Sequence, residues 1–168
     1  MDWLREIFDR LLSVFPRILI LGPYEAGLLI TFGKRCTPLG PGWYPYWPLI
    51  QKEVHLEIQT QVVDLRSQSV HTCDGNSVVV SGAIQYSIRD VYKAICNVQD
   101  VDDSIQALVL GIILDYVSKR TLKECEDIEL LRTEILKGLR EETRGWGLKI
   151  EKVFITDLGT AINIRLLQ

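Results

Sequence analysis

Apolar side chains recur at helical spacing along the first 15 residues. Trp3, Leu4, Ile7, Phe8, Leu11, Leu12, Val14 and Phe15 fall within one half of a helical wheel, and Asp2, Arg5, Glu6, Asp9, Arg10 and Ser13 fill the other. Pro16 ends the pattern, because a proline inside a helix removes a backbone donor and clashes with the preceding turn. An amphipathic N-terminal helix is therefore predicted over residues 1–16. Beyond it the period shortens. Ile18–Leu21 and Leu28–Phe32 are short apolar runs separated by Gly22-Pro23-Tyr24-Glu25-Ala26-Gly27, the pattern of two strands and a turn, so a hairpin is expected to open the domain. Four prolines and four aromatics crowd into residues 38–48, which predicts an irregular, stiff loop carrying Trp43, Tyr44, Tyr46 and Trp47.

Strict alternation returns at Val54, Leu56 and Ile58 and continues through Val62, Val63 and Leu65. Asp74-Gly75 marks a tight turn, after which Val78, Val80, Gly82, Ile84, Tyr86 and Ile88 alternate; the two long strands are expected to pair. The second half reads as helices. Tyr92–Val98 forms a short one. From Asp102 onward Ile105, Leu108, Val109, Ile112, Ile113, Tyr116 and Val117 draw a deeply buried helical stripe, with Asp102 or Asp103 as its cap. Thr121-x-x-Glu124 has the spacing of a capping box, and 127–144 carries Ile128, Leu131, Ile135 and Leu139 on one face. Residues 149–156 read as a last strand. The fold class is mixed α/β of the α+β type. An antiparallel-rich sheet of five to six strands packs with three to four helices, all preceded by the amphipathic helix.

Length adds one constraint and charge another. With 168 residues, a single domain with short appendages is expected: 1–16 as the helix, 17–158 as the domain and 159–168 as a tail. The net charge is −3, with no tract of like charge, which argues against nucleic acid as a partner. Apolar residues make up 47% of the chain, enough to point to a face that meets a partner or a bilayer. No apolar run approaches the roughly 17–25 residues that cross a membrane as a helix. The N-terminal helix bears three acids against two arginines, so its binding to lipid would rest on buried apolar area alone. A helix packed on its own domain or on a neighbouring subunit is the alternative.

Candidate chemistry is sparse. Cys36, Cys73, Cys96 and Cys125 fit neither a close-paired zinc site nor a disulfide scaffold and read as reduced, mostly core thiols. His71, Cys73 and Asp74 are the one chemically suggestive cluster, but nothing in the sequence supplies an oxyanion site beside them, and ordinary residues leading into a turn are the favoured reading. Phosphate-binding glycine motifs are absent, so no catalytic, cofactor or metal site is assigned.

The ordered set Gly22-Pro23-Tyr24-Glu25-Ala26-Gly27, Phe32-Gly33-Lys34, Leu39-Gly40-Pro41-Gly42, Pro48, Asp64-Leu65-Arg66, Asp74-Gly75 and Tyr86 resembles the stomatin, prohibitin and flotillin superfamily, the SPFH or band-7 domain. Leu122, Trp146-Gly147 and Thr156-Asp157-Leu158 agree with it, so the resemblance covers 18–158. It implies a non-enzymatic scaffold that sits on a membrane surface and self-assembles. It also implies that the Trp3–Phe15 helix and the Trp43–Trp47 segment occupy the positions of the family's membrane contacts. Family members typically continue into a long coiled coil and carry a spanning or acylated anchor; neither is expected here. The expectation is a cytosol-facing peripheral membrane protein, a homo-oligomer or part of a larger assembly, contacting lipid or protein through Trp3, Leu4, Ile7, Phe8, Leu11, Leu12, Phe15, Trp43, Tyr44, Tyr46 and Trp47. The alternative is a soluble cytoplasmic binding module that docks those same surfaces on protein partners.

Overall fold

The structure, a computed structural model, describes residues 15–160. Trp3, Leu4, Ile7, Phe8, Leu11 and Leu12, and with them the predicted N-terminal helix, lie outside the described residues. In chain order the elements are β1 (Arg17–Leu21), β2 (Glu25–Thr31), β3 (Arg35–Leu39), β4 (Gly42–Tyr46), β5 (Gln51–Glu57), β6 (Gln61–His71) and β7 (Ser77–Ile88). Then come α1 (Val91–Asn97), α2 (Val101–Ser118), α3 (Leu122–Cys125), α4 (Ile128–Glu142) and β8 (Leu148–Thr160). The mixed α/β class and the antiparallel pairing are as expected. Among the described residues, however, there are eight strands rather than five or six, and they divide into three sheets ordered β1-β4, β3-β2-β5 and β6-β7-β8.

Three local expectations are corrected. The opening hairpin does not form: Gly22–Glu25 does turn, with Glu25 N–H bonded to Gly22 O at 3.1 Å, but β1 pairs with β4 while β2 lies between β3 and β5. With β3 and β5 on its two edges, β2 has none left for β1, and β5 comes so near that a Cβ at Gly27 would meet Val54 O at 2.7 Å. The proline-rich segment is not an irregular loop. Pro38 lies in β3 and Pro45 in β4, each paired on one side only, and a one-sided strand needs no donor from its proline. The expected long strand from 53 to 66 breaks at 58–60 into β5 and β6, which join different sheets; only β6 pairs with β7.

The main core lies between the β6-β7-β8 sheet and the helices α2 and α4. Ile105, Val109 and Val117 of α2, Leu131, Ile135 and Leu139 of α4, and Val80 and Ile84 of β7 are all buried within it. Both outer strands of this sheet are bulged. Arg66 and Ser67 of β6 oppose Ser81, and β8 carries extra residues at Thr156 and Glu151, irregularities that blunt edges against stray pairing. The Glu151 carboxylate accepts from Gln85 Nε2 at 2.9 Å and Ser87 Oγ at 3.1 Å, so the extra residue is tied down. β8 runs to Thr160, past the expected end at Thr156.

Helix starts follow side-chain reach. Asp100, rather than Asp102 or Asp103, caps α2 by accepting from Asp103 N–H at 3.1 Å. Asp102 instead accepts a hydrogen bond from the Tyr86 hydroxyl at 2.5 Å, joining α2 to β7. The capping box of α3 forms as expected, with Thr121 N–H on Glu124 Oε2 at 2.9 Å. Gly147 turns the chain into β8 with φ of 74°, and its carbonyl accepts the N–H groups of Arg89 and Asp90 at 2.8 and 3.0 Å. Of the four thiols only Cys125 is buried; Cys73 and Cys96 are exposed, which corrects the expectation of core cysteines.

Candidate interface at the aromatic end of the small sheets

The register of β1 with β4 fixes which side chains share a face. Ile18 lies opposite Pro45 and Ile20 opposite Trp43, and because side chains alternate along a strand all four stand on one side of the ribbon. That side is wet: Ile18 is 65%, Ile20 74% and Trp43 70% exposed. Tyr44 and Tyr46 point to the other side and are half-buried, with the Tyr46 hydroxyl 3.5 Å from Glu53 Oε1. Four aromatics that the sequence presents as one group are thereby sorted by parity, with Trp43 and Trp47 outward and Tyr44 and Tyr46 inward.

Two turns meet where β4 ends. Ile50 N–H and Gln51 N–H both bond to Trp47 O, at 3.1 and 2.8 Å, while Ile50 O accepts Phe32 N–H from the β2–β3 turn at 2.8 Å. Gln51 adds a clamp, accepting Trp47 N–H at 2.8 Å and donating to Thr31 Oγ1 at 3.3 Å. Phe32 has φ of 52°, a left-handed conformation uncommon for an aromatic residue, and its side chain stands exposed beside the turn that carries Trp47 and Leu49. Since Arg17 pairs with Tyr46, exposed Phe15 enters the domain at this same end. The result is a hydrogen-bonded tip that holds large apolar side chains in water.

Charge at this end is mainly positive, with the half-buried Glu53 beside Tyr46 as its acid. Arg35 pairs with Thr31 and Lys52 with Ile30, which brings both, with Lys34 and Arg17, to the tip, and all four are exposed. Residues 10–52 contain five bases and a single acid, Glu25, which lies at the opposite end of β2. Sequence reasoning missed this basic ring, and also Ile18, Ile20, Phe32 and Leu49. The signal was present as a stretch almost free of acids inside a chain of net charge −3.

The cluster around the 71–77 turn is occupied structurally. His71 Nδ1 lies 3.0 Å from Ser77 Oγ, and Cys73 N–H bonds to Arg120 O at 3.0 Å. Asp74 accepts the Thr72 hydroxyl and, at 3.2 Å, Leu122 N–H, fastening the turn to the start of α3. These bonds, the Thr72 hydroxyl foremost, hold the Asp74 carboxyl below its ordinary value of 3.8. Among the described residues no group of three or more His, Cys, Asp or Glu is placed to hold a metal ion, and no helix is long and apolar enough to cross a membrane.

The described residues form a small mixed α/β domain with an exposed apolar and basic end. The SPFH domain / Band 7 family model matches residues 19–165, and the chain belongs to that family. It is 29% identical to an uncharacterized protein of Methanocaldococcus jannaschii over 97% of this chain and 82% of that one. Similarity extends to an uncharacterized protein of Methanothermobacter thermautotrophicus, 32% identical over 86% of this chain and 46% of that one. It also reaches stomatin of Mus musculus, 22% identical over 92% and 55% respectively. The chain thus spans about half the length of these last two relatives.

Proposed function

We propose that this chain is a peripheral, non-enzymatic membrane scaffold whose tip beds in the interface of an anionic bilayer. The observation that carries the reading is the coincidence, at one hydrogen-bonded end, of exposed Phe32, Trp43, Trp47 and Leu49 with exposed Arg17, Lys34, Arg35 and Lys52, against one half-buried acid, Glu53. Tryptophan and arginine or lysine together suit the headgroup region, where aromatic bodies and cationic tips are both solvated. The magnitudes support binding without a spanning helix. At about 200 Å² per side chain, Trp43 and Trp47 leave roughly 240 Å² wet, worth about 6 kcal/mol if fully buried and about half that at headgroup depth. Each base near an anionic surface contributes about 1 kcal/mol, a part that salt screens. Family membership and exposed Phe15 at this end support a second anchor in the apolar residues Trp3, Leu4, Ile7, Phe8, Leu11 and Leu12 that precede it in sequence, and two linked anchors bind more strongly than either alone.

Flotation with vesicles tests this. The intact chain is expected to float with phosphatidylserine-containing vesicles, less with pure phosphatidylcholine. Trp43→Asp combined with Leu49→Asp should weaken the association by at least tenfold, and Lys34→Glu should reduce it at low salt only. A chain that stays with free protein on both vesicles, or a double variant that floats as the parent does, refutes the reading and favours a module that docks on protein.

A further inference from the structure

Two of the four free thiols, Cys36 on β3 and Cys96 on α1, belong to different layers of the domain. The register places the first. Cys36 lies opposite Ile30 and Pro38 opposite Leu28, and partners across a ladder share a face. Leu28 is fully buried there, and Ile30 lines one cavity with Ala94, Ile95 and Val98, so α1 covers this face. At the other end of the helix Tyr92 lines a second cleft with Pro38, Leu39 and Gly40. The helix therefore starts beside Leu39 and ends beside Ile30 and Cys36. Its rotation places Cys96. At 100° per residue Val91, Ala94, Ile95 and Val98 form the inner side, with Tyr92 and Cys96 on one flank and Lys93 and Asn97 on the other. Asn97 Nδ2 donates to Gly145 O at 2.7 Å, and a Cβ at Gly147 would meet Lys93 Cβ at 3.0 Å, so that second flank faces the turn into β8. The Cys96 flank is turned to β3. From Tyr92 to Cys96 is one turn of helix, about 6 Å, and from Pro38 to Cys36 is two residues of strand, about 7 Å. Matching steps bring the two thiols side by side. Desolvation, and then the neighbouring Cys36 thiol, hold the Cys96 thiol above its ordinary value of 9.0.

We propose that Cys36 and Cys96 are a site of reversible disulfide modification that ties the β3-β2-β5 sheet to α1. The oxidant is a low-molecular-weight disulfide of the oxidised glutathione type. Exposed Cys96, as its thiolate, attacks one sulfur of that disulfide and releases a first small thiol. Half-buried Cys36, deprotonated in turn, attacks Cys96 Sγ in the mixed disulfide and releases a second. The two protein thiols thus give up two electrons and two protons, and the small disulfide takes them up as two thiols. A thiol raised as Cys96 is makes a poor nucleophile at neutral pH and a slow leaving group, so the bridge forms slowly and exchanges slowly once made. It closes a loop of about 60 residues. It also restrains a strand that hydrogen bonds hold on one side only, since β3 pairs with β2 alone and carries Arg35 to the tip. The bridge requires neither lipid nor a partner chain, so it stands or falls apart from the membrane reading.

The test is to incubate the full chain with excess oxidised glutathione, alkylate the remaining thiols and map the tryptic peptides by mass without reduction. The 36–52 peptide should appear joined to the 94–119 peptide within single chains, with Cys125 left alkylated. The oxidised chain should melt about 5–10 °C above the reduced one, and dithiothreitol should reverse both changes. Cys96→Ser, a change at an exposed position, should melt with the reduced parent and lose both the joined peptide and the shift. Cys36→Ser should leave Cys96 carrying glutathione alone. A parent chain whose Cys36 and Cys96 stay free or carry separate glutathiones after prolonged exposure at about pH 9 overturns the proposal. So does a joined peptide found only between chains, or a thermal shift that persists in Cys96→Ser.

Discussion

Replacing Gly82 by alanine isolates the packing that shapes the long sheet. Gly82 lies at the centre of β7, opposite Leu65 on β6 and Ile155 on β8, just beyond the bulges at Arg66-Ser67 and at Thr156. Those bulges bend both neighbours toward it, and a Cβ built there runs into the backbone oxygen of Phe154, far inside contact distance. An ordinary carbon–oxygen contact is about 3.3 Å, so β8 must withdraw by about 1 Å. That stretches roughly two ladder hydrogen bonds past usefulness, at about 1 kcal/mol each. Displaced packing above α4 adds about 1–2 kcal/mol. Gly82→Ala should therefore cost about 3–4 kcal/mol. With a slope of about 2 kcal/mol per molar for a chain of this size, the urea midpoint should fall by about 1.5–2 M at unchanged slope. Gly111→Ala, where the added methyl meets open space, is the control, and it should gain about 0.5–1 kcal/mol. A Gly82→Ala chain within about 1 kcal/mol of the parent, at equal slope, refutes the reasoning.

Tyr86→Phe deletes the bond from β7 to the start of α2 and should cost about 1–2 kcal/mol in the same titration, with Asp102→Asn weakening the same link rather than adding a second loss. Stability should decline at both extremes of pH, as followed by circular dichroism. Asp74, Asp90 and Glu124 are held below their ordinary values of 3.8, 3.8 and 4.5, chiefly by the Thr72 hydroxyl, Lys93 N–H and Thr121 N–H respectively. Their contribution is complete above those values and is lost as pH falls through the lowered ones. Burial, aided by Asp102, raises the Tyr86 hydroxyl above its ordinary 10.0, so the unfolded chain gains on the folded one as pH climbs past that point. An alkaline limb that persists unchanged in Tyr86→Phe would assign it to another group.

Local patterns in the sequence carried local structure well. The Thr121–Glu124 spacing, the Val91–Asn97 helix and the buried stripe of α2 all depend on neighbours within four residues, and all form. Partner choice among short strands depends instead on contacts that sequence order hides. Nothing adjacent to Ile18–Leu21 shows that its mate is Gly42–Tyr46 rather than the nearer β2, because both edges of β2 are taken by strands further along the chain, β3 and β5. The start of α2 was ambiguous for a different reason. Three aspartates crowd residues 100–103, and only the one whose carboxylate reaches the N–H three residues on can cap. At the candidate interface residue type was legible and orientation was not. Trp43 and Tyr44 differ in role by the parity of one strand, and the basic ring assembles from three separate segments that only the register brings together.

The account stands on the aromatic tip entering a lipid interface. With Trp3 and Trp146 replaced by phenylalanine, Trp43 and Trp47 report alone, and their fluorescence in the presence of phosphatidylserine vesicles carrying brominated acyl chains measures that step. The account predicts a blue shift and strong quenching that grow with anionic lipid and vanish in Trp43→Asp/Leu49→Asp combined with high salt. Emission that stays red and unquenched while the protein is bound to the vesicles would contradict it.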